Sequence, residues 1–196
     1  MTRWAPGAEA RLHDAALELF LENGFAATTV PQIAERAGLT TRSFFRYFSD
    51  KREVLFSGEE ELPAIVARMF ADADADLSPL DVARQGFRTI VFPRLVEFRD
   101  ELVVRRQIVK SDPGLQEREL RKLAILHEAA TTALMHRGLS RLDAEIAGRM
   151  AVTVYDVTVE SWLADDARGS LDDLLETVLD AVGRTATSRD PRRKGS

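Results

Sequence analysis

Cysteine is absent from the 196-residue chain. That excludes disulfides, thiolate nucleophiles and cysteine metal sites. Histidine occurs only at His13, His127 and His136, too few and too scattered for a histidine-built zinc site. No apolar run approaches the ~20 residues needed to span a bilayer, and Met1 to Ala10 lack the apolar stretch of a secretion signal. A soluble, cytoplasmic protein is therefore expected, with no membrane partner. The Gly-x-Ser-x-Gly, His-Glu-x-x-His and phosphate-loop patterns are all missing. Asp72, Asp74 and Asp76 open like a calcium loop, but Leu77 stands where the loop needs glycine and Ala83 where it needs glutamate. No enzyme, metal or cofactor is expected. Two readings stay open on these grounds: a helical enzyme using buried carboxylates, which turnover by the purified protein would reveal, and a helical adaptor or small-molecule-binding protein.

What is present is an ordinary globular balance: 45% hydrophobic and 30% charged residues. A chain of this mass can bury about 70% of its extended surface, enough for a core without staples. The formal net charge is −5, unevenly spread. Up to Phe56 the seven Lys/Arg match seven Asp/Glu, and the remainder carries the whole excess of acid. Between Arg36 and Arg52 stand five basic residues against one acid, Asp50. A basic patch on an acidic protein points to a polyanionic partner.

Apolar residues recur at helical spacing, and period-2 alternation is nearly absent. The expected class is all-α, about nine helices. Leu12, Ala15, Ala16, Leu19 and Phe20 mark the buried face of a first helix, which Gly24 ends. Thr29 and Gln32 read as a capping box opening a short second helix from about Val30 to Arg36, with Pro31 harmless in its first turn. A break at Ala37-Gly38-Leu39 precedes a third, from about Thr41 to Phe48. Asp50 and Glu53 read as another capping box, starting a helix expected to reach Phe70. Ser78-Pro79 and Asp112-Pro113 each read as a cap followed by proline. The first opens a helix with a kink expected at Pro93. The second opens a long helix ending near Gly138. Two more are expected, from Asp143 to about Asp165 and from Ser170 to about Arg184.

The first three have helix-turn-helix proportions. On the third, Phe44 and Phe48 share the core face. Thr40 is placed as N-cap, and Thr41, Arg42, Phe45 and Arg46 point outward. Exposed guanidinium groups beside an aromatic suit DNA: arginine forks to guanine or phosphate, and an aromatic packs on a thymine methyl or a sugar. Tyr47 and Lys51 are placed for phosphate oxygens. The stretches Thr29-Val30-Pro31-Gln32-Ile33-Ala34-Glu35-Arg36-Ala37-Gly38-Leu39-Thr40 and Phe45-Arg46-Tyr47-Phe48-Ser49-Asp50-Lys51 resemble the TetR family of transcriptional regulators, over roughly residues 10 to 56. Two positions depart from the family pattern: Arg42 stands where glycine is common, and Phe45 where tyrosine is common. The resemblance implies DNA contacts by Thr29, Thr40, Thr41, Arg42, Ser43, Phe45, Arg46, Tyr47 and Lys51.

It also implies a C-terminal effector-binding and dimerising domain. The expected layout is a disordered arm at residues 1–9, a DNA-binding domain at 10–55, an effector and dimerisation domain at 56–186 and a disordered basic tail at 187–196. The Asp143–Asp165 helix is apolar along two stripes: Ile146, Met150, Val154 and Val157, and Val152, Tyr155, Val159 and Trp162. A helix apolar on two faces is buried on both. A homodimer interface is expected from Tyr155, Val159, Trp162, Leu171, Leu174, Leu175, Val178, Leu179 and Val182. Phe87, Ile90, Val91, Leu126, Ala130, Leu134, Met150 and Val154 are candidates for an apolar effector site. The Arg105–Lys110 stretch with Pro113 resembles TetR-type domains that bind acyl-CoA-like ligands, which implies phosphate contacts by Arg105 or Arg106. The function implied is a ligand-responsive repressor of a palindromic operator. A gel shift with DNA upstream of the coding region separates it from an adaptor.

Overall fold

The computed structural model describes residues 7–164 and 169–187. Among them there is no strand, and nine of the α-helices are seven residues or longer. The all-α expectation holds. The expected arm and tail fall mostly on residues 1–6 and 188–196, outside the described residues, as does the expected helix end at Asp165. No described helix is long and apolar enough to cross a membrane.

The chain divides into two compact units. The first comprises residues up to Val66 together with Phe98–Leu126. It opens with α1 (Ala8–Asn23), α2 (Val30–Arg36) and α3 (Thr41–Tyr47). The α1 stripe Leu12, Ala15, Ala16, Leu19 and Phe20 is buried as its spacing demands. Gly24 ends α1 at φ 81°, a conformation costly for any residue with a Cβ, and Phe25 folds back so that its ring centroid lies 5.0 Å from that of Phe20. The Gln32 side chain accepts hydrogen bonds from the Thr29 N–H and hydroxyl, both at 2.8 Å. Thr40 accepts from the Ser43 N–H at 3.1 Å, fixing the start of α3.

After α3, Asp50 accepts from the N–H groups of Arg52 and Glu53, but the expected capping box is not formed: the N-cap of the next helix is Arg52, and the Glu53 carboxylate pairs with Arg118. That helix, α4 (Glu53–Phe56), does not run on to Phe70. It stops at Ser57, Gly58 follows with φ 81°, and a 3₁₀ turn (Glu59–Glu61) leads into α5 (Leu62–Ala71). Two further elements join the unit: α8 (Arg99–Ser111), which the sequence reading did not resolve, and the first half of α9 (Pro113–His136). Ile108, Val109 and Leu115 lie in the same apolar core as Leu12, Phe44 and Phe56. A cut at residue 55 therefore does not match the packing. These three residues shield the N-terminal helices, so 98–126 groups with them.

The second unit comprises Ala67–Glu97 and the chain from His127 on. Ser78 caps α6 (Pro79–Gly86). The expected distortion near Pro93 takes the form of a π turn (Phe87–Val91), in which the Phe92 N–H reaches back to the Phe87 carbonyl, followed by α7 (Phe92–Glu97). Proline has no N–H for the regular ladder, and a widened turn just before it is one way to absorb the loss. Ser140 caps α10 (Arg141–Trp162), and α11 (Leu171–Thr187) follows. The inward line of α10 is Ala144, Gly148, Ala151, Val154, Thr158 and Trp162. This corrects the two expected stripes: Val154 and Trp162 share one buried face, while Ile146 and Val157 are exposed. Small residues let α10 press on α9. A Cβ at Gly148 would lie 2.7 Å from the Thr131 hydroxyl and 3.2 Å from its backbone nitrogen.

Candidate nucleic-acid interface

The site is built by α3. Phe44 is fully buried and Phe48 nearly so, and they anchor one face of the helix in the core of the first unit. With 3.6 residues per turn, the opposite face must then carry Thr41, Arg42, Phe45 and Arg46 outward. All four are exposed, as is Tyr47. Phe45 leaves 55% of its surface uncovered, and its ring meets Phe44 edge-on with centroids 5.5 Å apart. Ser43 is half-buried, its hydroxyl 3.0 Å from that of the capping Thr40.

The five cations of the basic segment divide by use. Arg36 pairs with Glu18 at 3.2 Å and Glu22 at 2.8 Å on α1; that hydrogen bond holds the Glu22 carboxyl below its ordinary range. Lys51 donates to the backbone carbonyls of Phe25, Ala26 and Thr28 at 2.6, 3.2 and 2.8 Å, and its nitrogen sits 4.4 Å from the Phe25 ring centroid. An ammonium has three protons, so none is left over. This corrects the expectation that Lys51 meets phosphate: its charge ties down the turn between α1 and α2. Burial lowers its pKa from the ordinary lysine value. Arg46 lies across the Tyr47 ring and donates to its hydroxyl at 2.6 Å, so the two brace each other. Among the described residues, Arg42 and Arg52 have no side-chain partner.

Thr29, Thr40, Thr41, Arg42, Phe45, Arg46 and Tyr47 thus lie exposed on the cap of α2 or on α3 and its cap, with Ser43 half-buried among them. Sequence reasoning missed what holds the unit together behind them. Arg105 donates to the Leu55 carbonyl at 2.6 Å, to Glu59 at 2.9 Å and to Glu119 at 2.8 Å, and lies 4.8 Å from the Phe56 ring centroid. Lys122 pairs with the same two carboxylates. Arg105 is therefore not available for a ligand phosphate, which corrects that expectation. Its alternation with Arg106 in a helix that turns one of them inward was the available signal.

The remaining candidates are spread over both units. Arg106 and Leu126 belong to the first. In the second, Phe87, Ala130, Leu134 and Val154 are buried, Val91 and Met150 half-buried and Ile90 exposed. Of the expected dimer residues, Trp162, Leu171 and Leu175 are buried within their own unit and offer a partner almost nothing, a correction to the expected interface. Tyr155, Val159, Leu174, Val178, Leu179 and Val182 are half-buried. Exposed apolar surface on α10 lies instead at Leu142, Ile146 and Val157. In the second unit the His127 Nε2, Thr131 hydroxyl and Thr158 hydroxyl are buried without a hydrogen-bond partner.

Comparison with known proteins agrees with this geometry. Residues 12–57 match the sequence profile of the bacterial regulatory proteins, tetR family. The transcriptional regulator TcmR of Streptomyces glaucescens is 29% identical, the match covering 92% of this chain and 84% of that protein. The fatty acid metabolism regulator protein of Bacillus subtilis is 25% identical, with coverages of 86% and 90%. Among solved structures, the TetR-family repressor FadR of Thermus thermophilus, in complex with lauroyl-CoA, is 26% identical and superposes with a TM-score of 0.57, covering 96% of this chain and all of that one. The helix-turn-helix of the first unit, the profile that matches residues 12–57 and the near full-length relatives coincide, and the chain is similar along most of its length to transcriptional regulators of the TetR family.

Proposed function

We propose that this regulator is a repressor that binds a palindromic operator as a homodimer and is released by a small apolar or acyl-CoA-like effector. The observation that carries the reading is α3: a capped helix whose core face is locked by Phe44 while Arg42 and Phe45 stand uncovered. In the helix-turn-helix mode this helix enters the major groove, and a dimer sets two such helices about 34 Å apart or a multiple of it. Thr29, Thr40, Thr41, Arg46 and Tyr47 would contact the backbone, and Arg42, Ser43 and Phe45 the bases. The exposed Leu142, Ile146 and Val157, with Val178, Leu179 and Val182 of α11, supply apolar surface suited to a second copy. For the effector, support comes from the relatives named for fatty acid metabolism and lauroyl-CoA. The unpaired His127, Thr131 and Thr158 add to it. A buried polar atom without a partner costs about 1–3 kcal/mol, which a ligand's polar group would offset.

The test is selection of bound sequences from random duplex DNA by the full chain, followed by titration with acyl-CoA esters of graded length. A palindromic consensus released by one chain-length class supports the proposal. Turnover, or no enriched sequence, overturns it.

A further inference from the structure

We infer that Tyr47 is a positioning residue: it serves the operator backbone through Arg46 rather than by its own hydroxyl. The inference rests on the operator-binding reading above. Neighbouring residues on a helix point about 100° apart and do not face each other, so register alone brings no contact between positions 46 and 47. Arg46 nevertheless folds over Tyr47. Its Nη2 donates to the Tyr47 hydroxyl at 2.6 Å, and its Cζ lies 4.7 Å from the ring centroid. The guanidinium is thus held at two points, by the hydroxyl and by the ring face. Arg42, one turn earlier on the same helix, shows the alternative: it is exposed and, among the described residues, has no side-chain partner. A guanidinium has five N–H donors, and the contact with Tyr47 uses one, so Arg46 keeps a fork for a phosphate. Its place in the last turn of α3 favours the backbone, because a recognition helix meets base edges with its N-terminal residues. A phosphate oxygen approaching the Tyr47 hydroxyl would find a guanidinium nitrogen 2.6 Å from it. That group brings a charge and parallel donors, the phenol one neutral donor. The arginine therefore takes the phosphate and the tyrosine holds the arginine. A long side chain loses rotamer freedom when it binds, and in Arg46 that loss is already taken in the fold.

The experiment uses the full chain and the duplex obtained by selection. Affinity is measured across a salt series for the wild type, Tyr47→Phe, Arg46→Ala and the double variant. Arg46→Ala should lower the salt slope by about one, as loss of a phosphate contact does. Tyr47→Phe keeps the ring and removes the hydroxyl. In the wild-type background it should weaken binding roughly three- to tenfold, the factor expected for immobilising one long side chain on binding. In the Arg46→Ala background it should cost nothing, because the hydroxyl has no arginine left to hold. An equal loss in both backgrounds would mean that the hydroxyl meets DNA itself or that its removal harms the fold. No loss in either, or an Arg46→Ala slope equal to that of the wild type, would mean that the pair has no part in binding. Each of these results overturns the inference while operator binding stands. If no duplex is selected at all, both fall.

Discussion

The outer face of α3 and the charge cluster around Arg105 lie in the same unit and use arginine in opposite ways. Arg105 has its side chain only 17% exposed and spends its donors on Leu55, Glu59 and Glu119. Arg42 is exposed and spends none. The first arrangement joins α8 and α9 to the segment after α4. The second leaves a charge for a partner to neutralise. On the proposed reading, function in this chain is marked by charge that the fold leaves unpaired. The comparison breaks most sharply at Arg105→Ala. It would strip two half-buried carboxylates of a cation and free the Leu55 carbonyl. The expected loss is about 3 kcal/mol of unfolding free energy, because removing one member of a buried pair strands the others. Urea denaturation of the full chain measures it. A loss below about 0.5 kcal/mol would mean the cluster is solvated and the contrast empty.

Lys51 is the second test, since sequence and structure give it different roles. With three carbonyls on its ammonium, Lys51→Ala should cost about 2 kcal/mol of stability. A phosphate-binding lysine would instead leave the melting temperature unchanged and lower the salt slope of DNA binding by about one. Calorimetry and a salt titration on the same variant separate the two.

Arg42→Ala inverts the pattern. Stability should stay within about 0.5 kcal/mol of the wild type, while discrimination at one base pair falls by roughly 1–3 kcal/mol. Binding to operators varied one base pair at a time measures it. An equal loss on operator and random DNA would make Arg42 a backbone contact.

The α3 face was legible because it follows from local rules. Phe44 and Phe48 four apart fix which side is buried, Thr40 fixes where the helix starts, and the remaining positions are outward by periodicity. The charge cluster was not legible, because it depends on contacts between segments about 50 residues apart in sequence, such as Arg105 with Leu55 and Glu59. No spacing rule connects such positions. Lys51 lies between the cases. Its place beside the turn-forming Asp50 was readable, but its carbonyl partners belong to the turn after α1. The same limit explains the dimer residues. The heptad-like spacing of Leu171 and Leu175 shows that they are buried, and only the fold shows that their own unit buries them.

The smallest effect, and the finest test of the cluster, lies in its two acids. Glu59 and Glu119 share Arg105 and Lys122, yet they are pushed in opposite directions. For Glu59, burial outweighs the two cations and raises the carboxyl above its ordinary value. For Glu119, burial also raises it, but Lys122 and Arg105 together outweigh that and the net shift is downward. Glu119 therefore stabilises the fold above the ordinary glutamate range, and that contribution is lost as pH falls below it. Glu59 binds its proton more tightly folded than unfolded, so its contribution is present in acid and is lost as pH rises through its raised pKa. Because the fold disfavours the Glu59 charge, Glu59→Gln, which keeps a carbonyl for Arg105, should cost little stability at neutral pH while making the acid loss steeper. Glu119→Gln should cost more at neutral pH and make the acid loss shallower. Melting temperatures from pH 4 to pH 8 compare the slopes. If both variants bend the acid limb the same way, the two carboxyls act as one group and the division of labour between them is wrong.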